Sequence, residues 1–406
     1  MPAETVQTTE SPARESIGAA AQSATPAAEV REVASAAVRV MHVINGEHYS
    51  GAERVQDLLG QHLPAFGYEA AFACVKPGRF ADRRQDQDSP VYAFPMASRV
   101  DWHVARKLSR LVNDEGYSLV HAHTPRSALV GRLAAWLAKV PMIYHVHSPT
   151  SQDTTDGWRN RLNDWTERAS LYKAAGLITV SHSLGRHMRL RGYRPDSIFV
   201  VPNGVPTSTR RRGAVPPSGT WHIGTVALFR PRKGLEVLLE SIALMKERGV
   251  SVRLRAVGPF ETPDYEADIH WHAERLGLRH DIEWVGFTQD VTRELTQLDL
   301  FVLPSLFGEG LPMVVLEAMA AGVPVVGTRV EGVPEAIDDG ANGVIADPGD
   351  ADDLARSMMR VVERELDWCM LRERAIKTHA EQFSAERMAQ GVAAVYDRVL
   401  EATRVK

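Results

Sequence analysis

Cysteine is nearly missing from this chain. Cys74 and Cys369 are its two cysteines, too few for a disulfide framework and without the paired spacing of a zinc site. That scarcity fits a reducing compartment, so a cytoplasmic location is expected. Long apolar runs are missing too. Stretches such as Leu300-Phe301-Val302-Leu303-Pro304 fall far short of the roughly 20 residues that span a bilayer. No basic start followed by an apolar block opens the chain, which argues against a secretory leader. Residues 1–35 are rich in Ala, Glu, Ser, Thr and Pro, with five glutamates against two arginines, and read as a disordered tail. No Gly-x-Gly-x-x-Gly follows the first strand of either half, which disfavours an NAD dehydrogenase. A nucleic-acid partner is not expected.

What is present suits a soluble globular protein. Hydrophobic residues make up 44% and charged residues 24% of 406, enough for two or more domains. The charge is uneven. Residues 36–215 carry a net +9 and residues 216–406 a net −10, so the first half either meets an anionic partner or complements the second half. Val38–Ile44 is a short β-branched run that reads as a buried strand. Further apolar runs follow at 70–75, 119–122, 142–146, 177–180 and 197–201, with helical patterns between most of them. Pro206, Pro216, Pro217 and Gly219 then mark a linker. A second series of strands lies near 221–228, 251–257, 281–285, 300–303, 324–327 and 343–346. Alternation of this kind predicts two doubly wound α/β domains with parallel sheets covered on both faces. The expected boundaries are a tail at 1–35, a first domain at 36–205, a linker at 206–220, a second domain at 221–383 and a terminal helix at 384–406. Ligands in such sheets bind outside the carboxyl ends of the strands, here in a cleft between the domains.

The most informative stretch runs from Phe307-Gly308-Glu309-Gly310 to Glu317-Ala318-Met319-Ala320-Ala321-Gly322. Two carboxylates bracket seven residues that are apolar, Gly or Pro. Gly310, Leu311 and Pro312 form a turn, and Pro312 suits the first turn of a helix. Gly322 is the expected stop. The first-turn N–H groups lack internal partners and make an anion site. Glu317, inside an otherwise apolar helix, needs donors. Farther back, Arg230, Arg232 and Lys233 stand in Phe229-Arg230-Pro231-Arg232-Lys233-Gly234, at a turn between strand and helix that suits a diphosphate. Ser50-Gly51-Ala52-Glu53 opens the first helix, and Gly51 permits close backbone approach. His147 ends one strand and His121 and His123 end another. No carboxylate joins these histidines at ligand spacing, so no metal site is expected.

These segments together resemble the retaining glycosyltransferases of family 4, which have the GT-B fold. The resemblance covers roughly residues 38–400 and implies the following roles. Glu309 touches the transferred sugar and Glu317 holds the nucleotide ribose. Lys233 neutralises the donor diphosphate together with an arginine. The family arginine falls on Leu228 here, so Arg230 or Arg232 takes its place, with Arg230 preferred. Gly51 lies in the family's Gly-Gly-Ala-Glu loop, where Ser50 replaces the first glycine. His147 lines the cleft, with His123 a further candidate. Pro202-Asn203-Gly204-Val205 matches a hinge element, and Glu331-Gly332-Val333-Pro334-Glu335 matches the C-terminal half. The expected activity is transfer of a hexosyl group from a nucleoside-diphosphate sugar to a glycan or lipid-linked acceptor, with no cofactor beyond that donor. A nucleotide-sugar epimerase and a non-catalytic nucleotide-sugar-binding partner are the alternatives.

One segment of the first domain adds a question of location. Arg99, Arg106, Lys107 and Arg110 alternate with Trp102, Leu108, Leu111 and Val112 at helical spacing. Such a helix either lies on an anionic membrane surface, here the inner leaflet, or turns its apolar side into the core.

Overall fold

The structure, a computed structural model, describes residues 37–98, 101–148, 171 and 173–404. The expected disordered tail at 1–35 and Arg99 lie outside the described residues. Seven strands form the first sheet: β1 (Val38–Ile44), β2 (Tyr68–Cys74), β3 (Val91–Ala93), β4 (Leu119–Ala122), β5 (Met142–Val146), β6 (Gly176–Thr179) and β7 (Ile198–Val200). Their order is β3-β2-β1-β4-β5-β6-β7. Six form the second: β8 (Trp221–Val226), β9 (Val252–Val257), β10 (Ile282–Gly286), β11 (Leu300–Leu303), β12 (Val325–Thr328) and β13 (Val344–Ala346), in the order β10-β9-β8-β11-β12-β13. Every described pairing within the sheets is parallel. Central strands such as β4, β5 and β11 are buried along their whole length, so both sheet faces must be covered and the strands read as continuous apolar runs. In each sheet the order reverses beside the first strand, which sets a switch point at the carboxyl ends.

Two features tie the chain together around these sheets. The linker region has no helix or strand, but it is fastened to the second domain. Arg210 pairs with Asp290 at 2.8 Å and Arg212 with Asp299 at 2.7 Å, so part of the charge asymmetry is complementarity within the molecule. The terminal helix Ala385–Arg404 packs against the helix Gly51–His62 and against β6 of the first sheet. Tyr68 donates a 2.6 Å hydrogen bond to Asp397 of that helix. Val205 and Ser384 form a bridge where the strands of chain cross. A Cβ on Gly204 would collide with the Ser384 carbonyl, so the crossing needs glycine there.

The basic segment forms the helix Trp102–Asp114, capped by Asp101, whose carboxylate accepts from the His103 and Val104 amides at 3.1 Å. Leu108 and Val112 are fully buried and Leu111 packs on the core. An apolar face lying in lipid is therefore corrected: that face is already used by the domain core. Trp102 alone of its expected apolar residues is left 44% exposed, beside the exposed Arg106, Lys107 and Arg110.

Candidate active site

The site begins where β11 ends. The chain leaves Leu303, turns through Gly308 and enters the helix Met313–Ala320, with Pro312 at its cap position and Gly322 in left-handed backbone beyond its end. Glu309 sits in this turn with 6% of its surface exposed. A carboxylate so placed must be neutralised. Lys233 does so by an ion pair, and the Ser305 hydroxyl donates to the same oxygen at 2.6 Å. Burial alone would push the Glu309 carboxyl up, but the Lys233 ammonium and the Ser305 hydroxyl outweigh it and hold it below the usual range. The turn itself is held by Glu331, whose two carboxylate oxygens accept from the Gly308 and Glu309 amides at 3.0 Å. Arg232 donates to the Phe307 and Gly308 carbonyls at 3.2 and 3.1 Å. Arg230 pairs instead with Glu261 at 3.3 Å, so the geometry favours Arg232 over Arg230 as the arginine beside Glu309. No local pattern marks Ser305 or the amide-holding role of Glu331, although Glu331 opens Glu331-Gly332-Val333-Pro334-Glu335.

Residues of the first domain close on this turn. A Cβ on Gly310 would collide with the His147 carbonyl, and a Cβ on Gly332 with the Gly310 carbonyl. Three backbone segments from β5, the Glu309 turn and the Glu331 loop are thus stacked at distances that side chains would forbid. Asn203, in the expected hinge, donates to the Leu311 carbonyl at 2.9 Å. Glu335 accepts from the His182 and Ser183 amides at 2.6 Å each, a carboxylate placed at the N-terminus of the helix His182–Leu190. Gly51 faces the start of the Met313 helix, since a Cβ there would come within 4.0 Å of Met313 Sδ. Ser50, in place of glycine, is extended at φ −119° and its hydroxyl meets Glu53 at 2.6 Å, so that position does not require glycine. Glu317 is ion-paired with Arg54 from the first domain, a partner the sequence did not suggest.

His147 is brought to the junction by its backbone, while its ring turns inward. The ring stacks on His145 at a centroid distance of 4.3 Å, and its Nε2 lies 3.2 Å from His123 Nδ1. Burial holds the His147 imidazole down to about 4 and that of His42 down to about 3. Burial first, and neighbouring rings second, also push His121, His123 and His145 down. All five rings occupy one face of the first sheet. His42 is level with His121 across β1 and β4, and the i, i+2 pairs His121/His123 and His145/His147 repeat that face on adjacent strands.

Two family models match the chain in succession. Residues 50–204 match a glycosyl transferase 4-like domain, and residues 208–382 match glycosyl transferases group 1. The chain is a glycosyltransferase, a 4-like domain followed by a group 1 domain. It is 26% identical over 307 residues to the phosphatidyl-myo-inositol mannosyltransferase of Mycobacterium leprae, covering 73% of this chain and 77% of that one. It is 23% identical over 347 residues to the Escherichia coli UDP-Gal:alpha-D-GlcNAc-diphosphoundecaprenol alpha-1,3-galactosyltransferase, covering 80% and 88%. Among solved structures, Anabaena HepE in complex with UDP-glucose superposes with a TM-score of 0.77 at 21% identity, over 89% of this chain and 99% of that one. The two doubly wound domains of this glycosyltransferase have the GT-B arrangement.

The Lys233–Glu309 pair yields a stability prediction. Lys233→Ala leaves Glu309 buried without its cation, which should cost about 3–5 kcal/mol at neutral pH. In the native protein the lowered Glu309 pKa contributes stability above the ordinary value of 4.5, and that contribution is lost as pH falls through the folded value. Without Lys233, burial dominates and raises the carboxyl pKa, so acid relieves the variant by protonating it. Urea melts at several pH values should therefore show a gap between the two proteins that is widest near neutrality, starts to narrow above 4.5 as the variant protonates, and goes on closing below it. A gap independent of pH would mean that Glu309 is not the group left unpaired.

Proposed function

We propose that this glycosyltransferase moves a hexosyl group from a nucleoside-diphosphate sugar to an acceptor hydroxyl, with retention at the anomeric carbon. The bond from the anomeric carbon to the diphosphate oxygen breaks, a new bond to the acceptor oxygen forms, and the acceptor proton leaves with the diphosphate. The observation that carries the reading is the buried Lys233–Glu309 pair at the turn entering the Met313 helix. A diphosphate arriving there competes with Glu309 for the ammonium, and charge growing on the leaving group strengthens the contact as the glycosidic bond opens. Arg232 stands next to the same turn, and the helix start after Pro312 adds backbone donors. Glu309, released from Lys233, turns to the sugar hydroxyls. Glu317 exchanges Arg54 for the ribose hydroxyls. His147 and Gly51 close the site from the first domain.

The relatives' activities, on an inositol phospholipid and on a diphosphoundecaprenol-linked sugar, support a glycan or lipid-linked acceptor in polysaccharide or glycolipid synthesis. UDP-sugars are the first donors to try, since HepE binds UDP-glucose. No described helix is long and apolar enough to cross a membrane. Peripheral contact with the inner leaflet rests on Arg106, Lys107, Arg110 and Trp102, together with Trp136, 62% exposed, on the neighbouring helix Pro125–Ala138.

Two measurements test these roles. Glu317→Ala should weaken calorimetric donor binding by about 1.5–3 kcal/mol, while Lys233→Ala should lower kcat on the order of 10²-fold with a smaller change in KM. Unchanged donor affinity in a folded Glu317 variant, or donor isomerised in the absence of acceptor, sinks the reading. For the membrane, vesicles rich in anionic lipid should float the protein at low salt and release it at high salt. Protein left at the bottom of the gradient at low salt contradicts the contact.

A further inference from the structure

His123, a cleft candidate in the sequence, is 2% exposed, and with His42 and His121 it lies buried beneath the terminal helix, outside the transfer step proposed above. We propose that these three histidines bind one zinc-class divalent metal ion, which fixes the terminal helix to the first sheet.

The geometry has three parts. First, one ring nitrogen from each histidine lies within 4.8 Å of the other two. His42 Nδ1 and His123 Nε2 are 3.0 Å apart, close to the roughly 3.3 Å that separates two imidazole nitrogens bound to one tetrahedral zinc. His121 Nε2 is buried and has no hydrogen-bond partner. Second, the far nitrogens of two of these rings are engaged by one hydroxyl. Tyr396 OH lies 2.6 Å from His121 Nδ1 and 3.3 Å from His42 Nε2. When the hydroxyl oxygen accepts from both N–H groups, the tautomers are set and the lone pairs fall on His121 Nε2 and His42 Nδ1. An outer hydrogen bond of this kind is the usual companion of a metal-bound histidine. Third, His123 Nδ1 lies 3.2 Å from His147 Nε2. Donation along that bond puts the third lone pair on His123 Nε2, facing His42 Nδ1. Lone pairs on His42 Nδ1 and His123 Nε2, 3.0 Å apart and out of water, repel one another unless a proton or a cation lies between them.

The chemistry of the donor set narrows the ion. Neutral imidazoles without thiolate or carboxylate suit zinc, nickel or copper and not magnesium or calcium. A set of three histidines leaves a fourth position for a solvent oxygen or a further ligand. His145 stands beside the set, its ring stacked on His121 at 5.3 Å and both of its nitrogens buried without partners. Tyr396 belongs to the terminal helix, so an ion held here would couple that helix to β1 and β4.

The test uses untagged full-length protein, stripped with chelator and dialysed, then titrated with Co²⁺ as a spectroscopic probe. The expected result is one equivalent bound, with visible d–d bands of a four-coordinate site that Zn²⁺ abolishes, and a rise in Tm on adding Zn²⁺. Tyr396→Phe, which keeps the ring and removes only the hydroxyl, should weaken Co²⁺ binding by about 10–100-fold. His121→Gln should abolish it, and His145→Gln should retain it. Wild-type protein that is folded by circular dichroism but takes up no stoichiometric Co²⁺ overturns the proposal, whether or not the variants fold. Uptake that survives His121→Gln and is lost in His145→Gln overturns the assignment in favour of the neighbouring trio His123, His145 and His147.

Discussion

The junction between the domains depends on how one carboxylate is kept ionised out of water. Glu309 lies at the carboxyl end of β11, where the backbone turns into a helix, and its surroundings are apolar enough to favour the neutral acid. The ammonium of Lys233 reverses that preference. Fixing Glu309 in turn fixes the Gly308–Leu311 turn, because Glu331 and Arg232 hold its amides and carbonyls from the other side. A buried ion pair of this kind adds little stability of its own and is costly to break. On the function proposed above, a second anion later claims that cation.

Backbone contacts then bring the first domain to that turn. Gly310 and Gly332 admit carbonyl oxygens where a methyl group would collide, and Asn203 bonds the Leu311 carbonyl. Contacts of this type are short-range and steric, so they define one closed arrangement without a large apolar interface at the turn itself. The terminal helix gives a second, apolar tie. Val392, Tyr396 and Val399 are buried in a cluster shared with the first sheet and with the Met313 helix.

Much of the fold is legible in the sequence because a parallel sheet covered on both faces demands continuous apolar strands, and runs such as Leu119–Ala122 and Leu300–Leu303 stand out without any periodicity. β3 escapes that reading because a three-residue strand between Pro90 and Pro95 carries no pattern. At the site, local strings point to Glu309, Lys233 and Gly310 in turns and to Gly51 at a helix start, because their chemistry is readable over a few residues. Pairings across the chain are not readable in that way. Lys233 and Glu309 are 76 residues apart, and Arg54 and Glu317 are 263 apart, and no local spacing says which opposite charges will meet. The histidine cluster has the same cause. His121/His123 and His145/His147 each show a shared strand face, but only the sheet order puts His42 beside them, and a search for carboxylates near histidine in sequence cannot see it.

The proposed function turns on one cation, the ammonium paired with Glu309, meeting the donor diphosphate. A crystal structure of the protein with a bound nucleoside-diphosphate sugar tests it most directly. Lys233 Nζ is expected to leave Glu309 and lie within hydrogen-bond distance of a diphosphate oxygen, with Glu317 on the ribose and Glu309 on the sugar. A donor bound elsewhere, or bound here with the Lys233–Glu309 pair intact, would contradict it.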